Sequence, residues 1–354
     1  MIVSTCSYGS TGSSAVSDYL KECENTQVLD KFEFTIATCT DGLSDLEYHL
    51  VKKNARQNSS IYAIQRFKKV VERHKRSWHR HTGIPKENIS RYTNSFINNI
   101  TQVKYVGPSP RIHVGSHERF NRIVGNSLIM TRVIRPLEKK KIIKKNHNFY
   151  PYEEVNLSIH PDNFYDESKK FTRRLLKGMG ADFSKIVVLD QAFSGSDPVS
   201  AFPFYDSPYA IIVDRDPRDV FIFAKEVLLS RGRFIPTDRV EDYIKYYRLI
   251  RSSKERIMED KRCLFLQFED MVYNYDNTVC KIDKFLNVVN KNRKTIFVPE
   301  MSVANTNLIR KFPKYAKEVE LIEKELSEYL FDFSKYPDVD NKGEMFFGKS
   351  PLNK

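Results

Sequence analysis

Cysteine is scarce and unpatterned in this chain of 354 residues: there are five, at positions 6, 23, 39, 263 and 280, with no Cys-x-x-Cys spacing and no paired histidines nearby. An odd, scattered set of this kind excludes a disulfide framework or a structural zinc centre and fits reduced thiols. Long apolar runs are missing too, none approaching the roughly 20 residues that a membrane span needs. Met1 leads directly into the first strand candidate, so no signal peptide is expected. The expectation is a cytoplasmic chain that touches a membrane at most peripherally. Acidic residues fall short of basic ones, 45 against 58, and the net charge of +13 favours an anionic partner: nucleotide, acidic glycan, nucleic acid or membrane surface. Charge does not choose among these. Hydrophobic residues make up 40% of the chain, enough for a sizeable core.

Residues 1–6 read as a short buried strand and 13–23 as a helix with Ala15, Val16, Tyr19 and Leu20 along one side. From 41 to 183 the pattern changes to long basic amphipathic helices within 43–80 and a Pro/Gly loop over 107–115, more an insertion than a sheet. Alternation of strand and helix returns with "KIVVLDQAF" (185–193), "YAIIVDRDPRD" (209–219) and a helix through Phe221 to Leu229. A helix over 238–260, a strand "CLFLQFED" (263–270) and a helix from about 277 to 286 continue the rhythm. The expectation is one α/β domain with a P-loop-like parallel sheet flanked by helices. Its core would be 1–40 and 184–312, with a largely helical insertion at 41–183 as the acceptor-binding region and a loosely ordered tail at 335–354.

The stretch "TCSYGSTGSSAV" (5–16) joins the first strand to the first helix. Such a turn points several N–H groups at one spot, where the helix dipole favours negative charge. Gly9 and Gly12 allow close backbone approach, and Ser10, Thr11, Ser13 and Ser14 add hydroxyls. It is not a Walker A loop, because no Lys precedes its Ser. Ser and Thr also cap helices well, so an N-capped helix after a polar turn remains the alternative. "VDRDPRDVF" (213–221) follows another apolar strand, with Pro217 suited to a first helical turn and Arg215 and Arg218 near the strand's carboxyl end. Its plain alternative is a solvated helix start with local ion pairs.

The order of "SYGSTGSS" and "RDPRDV" resembles the sulfotransferases that use 3′-phosphoadenosine 5′-phosphosulfate, PAPS. The resemblance implies that the first loop, Tyr8 to Ser14 with Gly12, Ser13 and Ser14 foremost, holds the 5′-phosphosulfate and that Arg215 holds the 3′-phosphate. PAP would be the product, and no metal would be required. "LFLQFEDMVYNYDNTVCKIDKFL" (264–286) looks like the family's later strand and helix. "VPEMSVANTNLIRKF" (298–312) resembles its nucleotide lid, which makes Asn305, Asn307, Arg310 and Lys311 lid candidates. Two departures stand out. Ser10 occupies the position where the family carries Lys or Arg toward the leaving group, and Phe223 that of a phosphate-binding Ser, with Lys225 nearby as a substitute.

For the base, Glu33 lies at the distance from the first helix that carbohydrate-acting members use, and desolvation beside an acceptor would raise its pKa. A strand Glu facing solvent is the alternative. His160 is the reserve base. The histidines of "RHKRSWHRH" (73–81) read as a solvated basic face. The lysines of "KKKIIKK" (139–145) read as such a face or as a glycan attractant, and Trp78 as core or a sugar platform. The expected function is sulfuryl transfer from PAPS to a hydroxyl of a carbohydrate, acidic and lipid-linked glycans included, without specific nucleic-acid binding. A P-loop nucleotide kinase and a non-catalytic binder of anionic polymers are the alternatives.

Overall fold

The structure, a computed structural model, describes residues 1–54, 56, 58–108, 132, 135–140, 142, 152–228, 234–288, 290, 294–336 and 345. In chain order the strands are β1 (Ile2–Ser7), β2 (Thr26–Leu29), β3 (Val103–Pro108), β4 (Tyr152–Leu157), β5 (Ile186–Asp190), β6 (Pro208–Asp214) and β7 (Cys263–Gln267). The longer helices are α1 (Ser13–Lys21), α2 (Ser59–Thr82), α3 (Lys86–Ile100), α4 (Phe164–Gly178), α5 (Pro217–Glu226), α6 (Val240–Leu249), α7 (Tyr275–Leu286) and α8 (Ala316–Glu325). The chain divides into two compact units, one of residues 1–35 and 180–354, the other of residues 36–179.

The first unit is built on a five-stranded sheet in the order β2-β5-β1-β6-β7, with every pair parallel. Strands covered on both faces need continuous apolar character, and Val187, Val188, Leu189 and Ala210 to Val213 supply it. Val16, Tyr19 and Leu20 of α1 join Val279, Ile282 and Leu286 of α7 in the core beside the sheet. A second core gathers Phe221 of α5, Tyr243 and Tyr247 of α6, and Ile322 of α8. From β1 the chain leaves toward β2, and from its neighbour β6 toward β7. Onward connections that diverge in this way open a crevice at the carboxyl ends of the strands.

The second unit is helical around an aromatic cluster, Phe67, Phe96, Phe164 and Phe171, with Phe96 and Phe171 stacked 5.0 Å apart. It also holds an antiparallel ribbon of β3 and β4, which corrects the expectation of a middle region without sheet. Trp78 is 1% exposed, a core residue. No helix among the described residues is long and apolar enough to cross a membrane.

Several element boundaries differ from the sequence expectation, for physical reasons. Of the long helices expected within 43–80 one is found, α2 from Ser59; before it a turn at Leu43–Glu47 widens into a π turn over Tyr48–Lys52, and Lys53 is extended. The helix expected over 238–260 ends at Leu249 and resumes at Lys254–Met258. Between them Arg251 turns inward to a buried carboxylate. The strand expected over 263–270 stops at Gln267, and Phe268–Tyr273 is helix. Glu33 lies in no strand. The helix expected to reach Leu229 ends at Glu226, and Leu229 lies outside the described residues, as do 109–115 and, Met345 excepted, 337–354.

Candidate active site

At the carboxyl edge of the sheet a cavity of about 600 Å³ is lined by the turn after β1, the ends of β5 and β6, and the segment 297–305. The turn reaches it because its backbone takes conformations that side chains resist. Gly9, Ser10 and Gly12 have φ of +92°, +57° and +87°. A Cβ on Gly12 would lie 2.3 Å from the Phe268 ring. Gly12 is also the N-cap of α1, and no side chain caps that helix. The first N–H groups of a helix have no acceptor within it, so α1 presents its positive end uncapped.

The hydroxyls of the loop divide into two sets. Thr11 is fully buried: it donates to the Val213 carbonyl of β6 and accepts the Tyr8 N–H at 3.3 Å. Ser13 accepts from the Gln191 amide at 2.7 Å, and the same amide donates to Ser7 Oγ at 3.0 Å. Those groups shape the loop. Ser10 Oγ is buried without a partner, and Ser14 is exposed on the cavity wall. Tyr8 is a buried prop that lines no part of the cavity, its ring 4.2 Å from the Arg251 guanidinium and its hydroxyl pushed up by burial.

Arg215 lines the cavity but is 2% exposed, lying over the rings of Phe223 at 4.8 Å and Phe268 at 5.3 Å. Its terminal nitrogens donate to the Ser10 carbonyl at 3.1 Å and to the Asn305 carbonyl, while its buried Nε has no partner. It therefore ties the first loop to the 298–312 segment.

The remaining charges of this motif are also held inside the chain. Asp214 bonds Arg251 at 2.6 Å and Lys254 at 3.0 Å; burial opposes its ionisation, but those two cations outweigh it and hold its carboxyl below the ordinary range. Asp216 caps α5, pairs with Arg218 at 2.7 Å and accepts the Phe331 N–H. Asp219 accepts the N–H groups of Asn307 and Leu308, both at 2.7 Å, with its carboxyl pushed up by burial and then by Asp216. The local ion pairs of the plain alternative are present, but Asp214, Asp216 and Asp219 are buried rather than solvated.

Among the lid candidates, Asn305 lines the cavity, whereas Asn307, Arg310 and Lys311 do not. The Lys311 ammonium bonds the Ala304 carbonyl at 2.8 Å and is pushed down by burial. Lys225 does not reach the cavity either, its ammonium lying about 5 Å from the Phe221 and Tyr315 rings. His160 is exposed and belongs to the second unit. Lys139 and Lys140 are exposed; Lys141, Lys144 and Lys145 lie outside the described residues.

Glu33 lines the cavity and is exposed. Desolvation acts on a residue the sequence did not single out. Asp190, the last residue of β5, lines the same cavity, and its carboxyl is pushed up to about 7, first by burial, then by the charges of Glu33 and Asp30. Asp18 is the third carboxylate of the lining, and Arg215 is the cation among the described lining residues. Among the described residues, no group of His, Cys, Asp and Glu is arranged to hold a metal ion. The one signal for Asp190 and Gln191 was their place at the end of a predicted parallel strand, where such sheets bind ligands. Compared with known proteins, the chain matches no family model, no curated protein and no solved structure.

Proposed function

We propose that this chain is a PAPS-dependent O-sulfotransferase with a P-loop-like core. The observation that carries the reading is the Arg215 clip: one guanidinium bonded to Ser10 and Asn305 gathers the first loop, the Arg motif and the 298–312 segment around a single cavity. These are three of the four segments on which the resemblance rests.

The residues present fit the phosphosulfate end of the donor. An uncapped helix start, two glycines that a Cβ would obstruct and the orphaned Ser10 Oγ together make an anion cradle. Ser13 and Ser14 add the next N–H groups, and Ser10 brings a hydroxyl where the family carries a cation. Bound PAPS would supply the sulfuryl group and a phosphate leaving group. The chain's own part is to stabilise charge on the departing oxygen through N–H and hydroxyl donors, orient the acceptor and take its proton. The three carboxylates of the lining, Asp18, Glu33 and Asp190, suit hydroxyl chemistry and disfavour a polyanionic acceptor beside them. A neutral carbohydrate hydroxyl is the acceptor this lining favours. None of the five cysteines is in a disulfide, and burial pushes the Cys6 thiol up to about 12.

Calorimetric titration with PAP, and with ATP in the presence and absence of magnesium, tests the donor class. PAP binding that needs no magnesium and exceeds ATP binding is expected. ATP bound as well as PAP or better would overturn the reading and favour a kinase.

A further inference from the structure

We propose that Asp190 is the proton acceptor of this cavity and that Glu33 is its tuning neighbour. This rests on the sulfuryl-transfer reading above and assigns the acid–base role to a residue that no motif marks. Asp190 closes β5, parallel to β1, and the next residue, Gln191, grips Ser7 and Ser13 of the loop. The Asp190 carbonyl accepts the Phe34 N–H at 3.3 Å, which fixes the segment carrying Glu33 beside it. The carboxylate is therefore mounted on a strand end, next to the anion cradle and facing the same space. Among the described residues no donor hydrogen-bonds its oxygens, which leaves them for an acceptor hydroxyl.

The groups that act on it come from three directions. Glu33 and Asp30 follow β2, Lys21 stands on α1, and the Cys6 thiol sits on β1; Asp18 of α1 shares the cavity wall. Lys21 is already bonded to Asp18 at 2.7 Å and to Asp30 at 2.6 Å, so its charge is largely answered. Burial and neighbouring negative charge both favour a proton on Asp190, placing its carboxyl near 7, where a general base works best. In the step, Asp190 takes the proton of a hydroxyl whose oxygen forms its bond to sulfur. The bond from sulfur to the phosphate oxygen breaks, and its electron pair leaves with the phosphate of PAP. Glu33, exposed at the rim, acts through Asp190 by charge.

The test uses the full chain with PAPS as donor and water as acceptor, so that the product is inorganic sulfate. Side-chain 13C NMR, with the Asp190 signal assigned by its loss in Asp190→Asn, is expected to give a midpoint near 7 that falls in Glu33→Gln. The Asp190→Asn variant is expected to bind PAP within about threefold of wild type while releasing sulfate at least about 100-fold more slowly. Glu33→Gln is expected to move the acid limb of the pH–rate profile to lower pH. A midpoint in the ordinary aspartate range, or an Asp190→Asn variant with the wild-type rate and acid limb, would overturn the assignment. Failure of the wild type to bind PAP would instead overturn the transfer reading on which it rests.

Discussion

Two strand-to-helix turns stand side by side at the edge of the same sheet, after β1 and after β6, and they solve the start of a helix in opposite ways. After β6, Asp216 caps α5 with its carboxylate, Pro217 takes the first helical position, and the charged side chains bond groups inside the chain. After β1, a left-handed Gly12 starts α1 with no cap, and Ser10 Oγ has no partner. The turn rich in charge is satisfied within the protein except at the buried Arg215 Nε. The turn without charge is the one whose polar groups face the cavity. A charged motif at a strand end therefore marks an anion site only where its charges are unspent, and here the N–H groups of the uncharged turn are the better cradle.

The contrast breaks most visibly at Asp214. Its removal in Asp214→Ala strands Arg251, whose side chain is wholly buried, and a loss of about 3–5 kcal/mol is expected in urea unfolding. Because the Asp214 carboxyl is held below its ordinary range, this stability is present above the unfolded pKa, near 4, and is lost as pH falls through the folded value. A variant no more acid-resistant or acid-sensitive than wild type between pH 2 and 5 would show that the second turn is not held by charge.

In the first turn the corresponding break is steric. Gly12→Ala combines a left-handed backbone, about 1–2 kcal/mol for an L side chain, with a methyl 2.3 Å from the Phe268 ring, so a loss above about 2 kcal/mol is expected. Gly83, at φ +77° with open space around its Cβ position, is the control. Gly83→Ala should show the backbone cost alone, read by thermal unfolding of both variants.

The raised Asp190 carboxyl gives an effect of the opposite sign. Between about pH 4 and 7 the unfolded state releases this proton while the folded state keeps it, so wild-type stability falls as pH rises through that window. Asp190→Asn removes the penalty. It should stabilise the protein by about 1–3 kcal/mol at pH 8, discounted for partial exposure, and hardly at all at pH 4. Equal gains at both values would mean that ionisation is not the cause.

What could be read from sequence followed from local cause. The apolar runs of β1, β5 and β6, the α1 face of Ala15, Val16, Tyr19 and Leu20, and the helix start at Pro217 each depend on neighbours a few residues away. What could not be read depends on distant partners. The break after Leu249 exists because Arg251 must reach Asp214, and helix begins at Phe268, whose ring stands where a Gly12 side chain would be. Asp190 and Gln191 carry no motif. They enter the site only because parallel pairing sets Thr5 beside Asp190, with Ser7 lying 184 positions before the Gln191 whose side chain holds it. Arg215 lines the cavity, and its bonds to two backbone carbonyls follow from contacts 205 and 90 residues away.

Ser10 makes the finest test of the comparison, because its effect on stability and its effect on binding should part. A buried hydroxyl that is already hydrogen-bonded costs about 1 kcal/mol to remove, whereas one without a partner has already incurred its desolvation penalty. Ser10 Oγ is of the second kind, and Thr11 Oγ1, bonded to β6, is of the first. Ser10→Ala should therefore change stability by less than about 0.5 kcal/mol, while Thr11→Val should lose about 1 kcal/mol or more. If the first turn is the anion cradle, Ser10→Ala should also weaken PAP binding by roughly tenfold, the worth of one hydrogen bond to a charged oxygen. Calorimetry on the two variants reads this directly. Unaltered PAP affinity in Ser10→Ala, together with a stability loss equal to that of Thr11→Val, would make the first turn a structural corner like the second.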